Sequence, residues 1–107
     1  MDNTFNAVVR FNQIIGIVME YAFYNPDTFV LITADHETGA LTKSATGNFF
    51  YNQTDHSGAN VPVFAYGMGS EIFGGLTVEN TQIPKTIASM MGVAGFGADD
   101  SYKSLLD

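Results

Sequence analysis

Three residues of this sequence are candidate ligands of a metal ion: Asp35, His36 and His56. Asp35 and His36 are adjacent in the stretch TADHETG, and His56 follows later in TDHSGAN. The sequence contains no cysteine, so a zinc site would have to use imidazole and carboxylate ligands. A mononuclear or bimetallic zinc site is therefore one interpretation of this pattern.

The same residues also have a plainer interpretation, because two adjacent ligands and one distant ligand form a weak pattern. Asp35 could cap a turn, His36 could be a partly buried hydrogen-bonding residue, and His56 could be an ordinary loop histidine. Glu37 and Asp55 lie directly beside these residues. Each could accept a hydrogen bond from a histidine N–H or be an ordinary turn residue. Composition and spacing alone leave both interpretations open.

Two apolar strands are predicted to position these residues. Residues 28–34 (TFVLITA) are apolar on both alternating faces, as expected for a strand covered by helices on both sides. Residues 61–67 (VPVFAYG) form a second run of this kind. Asp35 and His36 follow the first run directly, and Gly39 is available for a turn. Because ligands of open α/β sheets bind at the carboxyl ends of strands, we expect a site at this end of the sheet.

A long helix is predicted before the first strand. Between residues 5 and 24 the apolar positions recur at the spacing of one helix face. Asn3 or Thr4 is expected to be the N-cap, and Pro26 is expected to end the helix because proline disfavours helical geometry at the residue before it.

A second helix is predicted near the end of the chain, with Thr81 as its cap, Pro84 in its first turn and Gly92 at its end. Residues 39–60 are expected to form a hairpin or an irregular loop, and residues 95–107 a loosely held tail. The order helix, strand, loop, strand, helix predicts an α/β fold. We expect part of a three-layer arrangement in which the strands of a mostly parallel sheet are flanked by helices.

Composition narrows the classes of function. Eleven acidic and four basic residues give a formal charge of −7, which disfavours nucleic acid as a partner because its binding depends largely on Lys and Arg. The apolar runs are far shorter than the roughly 18 residues needed to span a bilayer, so no membrane span is expected. The opening MDNTF lacks the features of a signal peptide.

The stretches VLITADHETGALT, DHSGANVPVFAYGMGSEIFGG and NTQIPKTIASMMG together resemble the C-terminal part of bacterial alkaline phosphatases. These enzymes are metal-dependent phosphomonoesterases that share a superfamily with sulfatases and cofactor-independent phosphoglycerate mutases. The resemblance extends from the first predicted helix to about Gly92. It implies a phosphate monoester as substrate and a periplasmic or secreted location for the parent enzyme.

The resemblance also implies a set of metal ligands. In the family, the Asp-His of the TADH motif binds one of two zinc ions and the histidine of a later HTG motif binds the other, so Asp35 and His36 would hold the first ion and His56 the second. Two departures are visible. Ala40 stands where many relatives have a second glycine, and Ser57 replaces the usual threonine.

Other parts of the family's active site have no counterpart in these 107 residues. The nucleophilic serine, the aspartate that leads toward a magnesium site, the phosphate-binding arginine and an Asp-x-x-x-His motif all lie upstream in the family. We therefore expect residues 1–107 to be a single C-terminal fragment that is inactive alone, with the magnesium ligands outside it. A fragment of a mutase or sulfatase is an alternative, although mutases tend to carry DHGN where this chain has DHETG. A stand-alone interaction module is another.

Self-association is expected as well. Hydrophobic residues make up 46% of the sequence, and two strands that look buried on both faces would be uncovered in the fragment. A symmetric homodimer is the simplest arrangement that would cover them.

Overall fold

The computed structural model describes residues 2–74, 78–97 and 101–107. Along the chain the elements are α1 (Asp2–Tyr24), β1 (Val30–Ile32), β2 (Thr42–Lys43), β3 (Phe49–Phe50), β4 (Phe64–Tyr66), a 3-10 helix (Ser70–Phe73) and α2 (Gln82–Met90). Among these residues, neither α-helix combines the length and the apolar character needed to cross a membrane.

The predicted first helix is confirmed as α1, with a different start. The helix begins at Asp2, so the two expected N-caps, Asn3 and Thr4, lie inside it and that prediction was wrong. The helix ends before Pro26, as predicted, because the ring cannot continue the hydrogen-bond ladder. The Asn25 side chain then donates a hydrogen bond of 2.8 Å to a main-chain carbonyl of the last turn.

The predicted sheet is wrong. Instead of a mostly parallel sheet flanked by helices, the chain forms two separate antiparallel sheets of two strands each, β1–β4 and β2–β3. With its two α-helices, the molecule is a small mixed α/β fold rather than part of a three-layer one. The β1–β4 register pairs Val30 with Tyr66, Leu31 with Ala65 and Ile32 with Phe64.

The strand direction follows from the connection between β1 and β4. Parallel strands need a crossover, usually a helix, whereas residues 33–63, all of which the structure describes, contain the β2–β3 hairpin and no helix. Val30 is buried, but Leu31 and Ile32 are only partly covered. The apolar run that predicted a strand enclosed on both faces therefore belongs to a short strand that remains partly open.

The region between the strands contains a tight hairpin. Thr42 pairs with Phe50 and Lys43 with Phe49. The turn is closed by the Ser44 N–H, which donates to the Asn48 carbonyl at 2.8 Å. The Lys43 ammonium lies 5.7 Å from the centre of the Phe49 ring, a cation–π contact that adds to the hairpin's few main-chain bonds.

A glycine allows β4 to leave the sheet and enter the 3-10 helix. Gly67 has a φ of +103°, and a Cβ at this position would lie only 2.3 Å from the Thr28 carbonyl oxygen. The close approach brings the 3-10 helix back over the sheet, where Phe73 is buried with its ring centre 6.0 Å from that of Phe29. This aromatic pair forms part of a small core.

The second predicted helix is confirmed as α2, with Thr81 at its N-cap position. Thr86 on this helix is fully buried. Its hydroxyl donates to the Gln82 carbonyl at 2.6 Å and accepts the Leu105 N–H at 2.9 Å. Residues 101–107 therefore contact α2 through a buried hydrogen bond.

Candidate metal centre

The antiparallel β1–β4 pair determines where the predicted ligands lie. Because Ile32 at the end of β1 pairs with Phe64 at the start of β4, the chain leaves and re-enters the sheet at the same end of the strand pair. Asp35, His36 and His56 all lie in the loops at that end, and all three line one cavity of about 190 Å³. The structure thus brings together the three residues that the sequence had singled out.

The two imidazoles are in direct contact. The ring centres of His36 and His56 are 4.5 Å apart, and the ring planes are inclined by 27°. Their side chains are 42% and 54% exposed, so each ring has one covered side and one side open to the crevice. Both are accessible to an ion entering from solvent.

The two histidines lie in segments with the same local hydrogen bonds. We call residues 35–37 the first Asp-His segment and residues 55–57 the second. In each, the aspartate Oδ1 accepts the N–H of the following histidine, at 2.9 Å in the first segment and 2.8 Å in the second. These bonds hold the carboxylate beside the ring that follows it.

Each histidine Nδ1 also faces the carbonyl oxygen of the next residue. The distance is 2.7 Å from His36 to Glu37 and 3.4 Å from His56 to Ser57. A carbonyl oxygen only accepts, so these contacts are hydrogen bonds in the tautomer that carries the proton on Nδ1. In that tautomer Nε2 keeps its lone pair, which is the arrangement of a metal-binding histidine oriented by its main chain.

The Glu37 carboxylate, unlike the main-chain carbonyl of the same residue, binds main-chain N–H groups and not a histidine ring. Its Oε1 accepts the Leu41 N–H and its Oε2 accepts the Ser57 N–H, each at 3.1 Å. A hydrogen bond from the Ser57 side chain is the main cause that lowers the pKa of Glu37, opposed by desolvation and assisted by the main-chain N–H groups of Leu41, Ser57 and Ala40. The carboxylate therefore joins the two loops that carry the histidines.

Asp55 occupies a more open position. Its side chain is 87% exposed, and Oδ1 lies 4.0 Å from His56 Nε2. Its carbonyl oxygen accepts the Gly39 N–H at 2.9 Å. Asp55 thus contacts the His56 main chain through its carboxylate and the first loop through its backbone.

Ala40 and Ser57 occupy different geometries. Ala40 has a φ of +47°, a left-handed conformation that favours glycine. Ser57 contacts Glu37 through its side chain and accepts the Ala59 N–H at 3.2 Å. Residue 40 is therefore an alanine in a strained position, whereas residue 57 supplies a hydroxyl that threonine would also supply.

The donor spacing fits part of a zinc site. Asp35 Oδ2 and His36 Nε2 are 3.5 Å apart, near the roughly 3.4 Å between two donors on a tetrahedral zinc ion with bonds of about 2.1 Å. Within the ranges 2–74, 78–97 and 101–107, no group of three or more His, Cys, Asp or Glu side chains is arranged to hold a metal. The described residues thus supply two donors at one point and an adjacent imidazole.

Asn80 is a crevice residue that the sequence did not reveal. It precedes α2 and lines the same cavity, and its side-chain amide donates to the Asp35 carbonyl oxygen. Because 45 positions separate the two residues, no local pattern could have connected them. This contact attaches the first Asp-His segment to the start of α2.

Comparisons with protein-family models, with curated proteins and with solved structures find no match for this chain. The resemblance to alkaline phosphatases therefore depends on the sequence motifs.

Proposed function

We propose that this chain supplies part of a two-zinc centre that hydrolyses phosphate monoesters, in an enzyme of the alkaline phosphatase type. Asp35 and His36 would hold one ion, and His56 the other. The nucleophilic serine, the phosphate-binding arginine and the magnesium ligands would come from outside these 107 residues. The chain would then complete an active site rather than form one alone.

The observation that carries this proposal is the contact between His36 and His56 in one crevice. Two zinc ions that act on one phosphate must lie close together, about 3.5–4 Å apart in two-metal sites. Ligands for such a pair must therefore converge, and the rings are 4.5 Å apart between centres. In the tautomer with the proton on Nδ1, both rings would present the Nε2 lone pair to a metal ion.

The negative charge of the crevice also indicates that binding of an anionic substrate would depend on a bound metal ion. Asp35 and Asp55 are both 87% exposed, and the chain as a whole carries a formal charge of −7. A phosphate monoester would be repelled by these carboxylates. Bound zinc reverses the local sign and stabilises charge on phosphate oxygens, so we expect anion binding in this crevice only after metal binding.

Zinc titration of the isotopically labelled chain tests the proposal. We expect the ring signals of His36 and His56 to shift on addition of zinc, and those shifts to disappear in Asp35→Ala for His36. The dissociation constant should be weaker than about 1 μM, because a zinc site normally needs three or four protein ligands. Unchanged ring signals at millimolar zinc would overturn the proposal, and submicromolar stoichiometric binding would overturn this division of ligands.

Hydrolysis of p-nitrophenyl phosphate tests the assignment of the nucleophile. The chain alone is expected to show no zinc-dependent turnover, because the nucleophile is assigned to a part outside it. Zinc-dependent turnover that disappears in His56→Ala would falsify that assignment.

We also propose that a second copy of the chain packs on α1. Large apolar side chains of this helix are exposed, including Phe5 and Ile17 at 69% each. Arg10 and Glu20 form no ion pair within the described residues. Arg10, Ile17 and Glu20 lie on one side of α1 at the 3.6-residue repeat. An antiparallel pair of helices that contact through this side and cross at the level of residue 15 would place Arg10 of each copy near Glu20 of the other, so the charges are complementary in this orientation.

Light scattering after size exclusion tests this arrangement. The chain is expected to be a dimer at about 100 μM, since association is concentration-dependent. Arg10→Glu should weaken the dimer by placing like charges together, and Arg10→Glu with Glu20→Arg should restore it. A monomer at this concentration, or an unchanged dimer in Arg10→Glu, would contradict the antiparallel pairing.

A further inference from the structure

We propose that Glu37 is a positioning residue that holds the His36 and His56 rings together in the crevice. Its importance for zinc depends on the proposed function, but its effect on the rings can be measured without metal. Glu37 is partly exposed, as an ordinary turn residue of the TADHETG loop would be. Its carboxylate, however, binds main-chain N–H groups of both histidine loops.

The Glu37 carboxylate binds the loop that carries the other histidine. Glu37 directly follows His36, and its Oε2 accepts the N–H of Ser57, which directly follows His56. One carboxylate therefore connects the residues that come immediately after the two histidines. A shift of Glu37 relative to Ser57 would move one ring relative to the other.

Glu37 and Ser57 also contact the imidazole rings. Nδ1 of each histidine faces the carbonyl oxygen of the residue that follows it, Glu37 or Ser57. Those carbonyls belong to the same two residues that the Glu37 carboxylate joins. The carboxylate thus determines the relative position of the two acceptors that orient the imidazoles.

The loops are also joined by hydrogen bonds that do not depend on Glu37. Gly39 makes its own contacts between the loops: its N–H donates to the Asp55 carbonyl at 2.9 Å, and its carbonyl accepts the N–H of Asn52 at 2.8 Å. None of these bonds involves residue 57. Loss of the Glu37 carboxylate should therefore leave the loops associated and release mainly Ser57 and the His56 ring.

Each Glu37 carboxylate oxygen accepts a hydrogen bond, and this explains why glutamate suits position 37. Oε1 accepts from Leu41 and closes the turn, while Oε2 accepts from Ser57. Glutamine has the same length but only one acceptor oxygen, so Glu37→Gln must lose one of the two bonds. Aspartate keeps both acceptors but is one methylene shorter. Neither substitution should reproduce the native contacts.

Nuclear magnetic resonance of the metal-free chain tests the inference. In Glu37→Gln we expect the Ser57 or Leu41 amide proton to move upfield and the cross-peak between the His36 and His56 rings to weaken. Amide signals of β1 and β4 should remain, which excludes unfolding as the cause. Glu71→Gln, a change to an exposed carboxylate on the 3-10 helix, is the matched control and should alter neither feature. An unchanged ring cross-peak in both Glu37→Gln and Glu37→Ala would overturn the inference.

Zinc titration of the same variants separates this inference from the proposed function. If zinc binds the wild-type chain, Glu37→Gln should raise the dissociation constant about tenfold, the effect typical of residues that orient metal ligands. An unchanged constant would overturn the positioning role toward zinc. If zinc does not bind the wild type, the proposed function fails, while the ring cross-peak still decides whether Glu37 positions the histidines.

Discussion

The two Asp-His segments have the same internal hydrogen bonds but different surroundings. The first segment follows β1 and is bound by the Asn80 side chain. It leads into a turn at Gly39, and Gly39 is buried. The second lies in a stretch without regular secondary structure, where Gly58 has no atoms near the position of a Cβ. The histidine of the second segment is also the more exposed of the two.

This difference indicates a division of roles. The first segment is positioned by the fold, through a strand, a tight turn and α2. The second is positioned largely by the first, through Glu37 and the Gly39 main chain. Similar local geometry can therefore arise either from tertiary packing or from attachment to a neighbour that is already packed.

Replacing one loop glycine of each segment by alanine should show the largest difference in stability between the two segments. Gly39 has a φ of +69°, and a Cβ there would lie 2.6 Å from the Tyr51 ring, whereas Gly58 has open space around it. We expect Gly39→Ala to lower the free energy of unfolding by about 2 kcal/mol and Gly58→Ala to change it by less than about 0.5 kcal/mol. Urea-induced unfolding measures both. Equal losses would show that the second segment is packed as tightly as the first.

Removing each aspartate should sharpen the comparison at the level of metal binding. Asp35 Oδ2 is 3.5 Å from the adjacent Nε2, and the corresponding distance at Asp55 is 4.0 Å. Zinc affinity should fall at least about tenfold in Asp35→Ala and less than about threefold in Asp55→Ala. Isothermal titration calorimetry at millimolar zinc can compare them. A larger loss in Asp55→Ala would reverse the assignment of the direct carboxylate ligand.

Ala40 offers a change in the stabilising direction. Its φ of +47° is unfavourable for alanine, and glycine removes that strain while adding entropy to the unfolded chain. Ala40→Gly should therefore raise the free energy of unfolding by about 0.5–1 kcal/mol. Thermal unfolding should show a higher midpoint. A lower midpoint would indicate that the turn at the first segment is not strained.

Lowering the pH should weaken the hydrogen bond between the Glu37 carboxylate and Ser57, which connects the two segments, more than the hydrogen bonds within each segment. The pKa of Glu37 is lowered from its ordinary value of 4.5, so its stabilising contribution is fully present above that value and is lost as the pH falls through the lower folded pKa. We expect the Ser57 amide signal to move over that range in the wild type. In Glu37→Gln the movement should be absent, and its persistence would assign it to another group.

The sequence located both helices and both apolar strands, and it identified Asp35, His36 and His56 as candidates before their contact was visible. It did not predict the direction of β4, because an apolar run looks the same in either direction and the connection decides it. Glu37 and Ser57 are 20 positions apart, so the sequence showed that Glu37 lies beside a histidine but not which residue it binds. Pairing across the loops involves the turn at Gly39, which has a positive φ and lies against the Tyr51 ring.

The chain leaves β1 and enters β4 at the same end of the strand pair, and this has a consequence for the order of folding. Both Asp-His segments lie inside one loop of roughly 30 residues, whose closure costs on the order of 3 kcal/mol of chain entropy before local contacts are counted. Pairing of the strands closes this loop and limits the separation of the rings, so we expect the crevice to form late. A mutation that slows β1–β4 pairing would then delay the assembly of the histidines without touching either one.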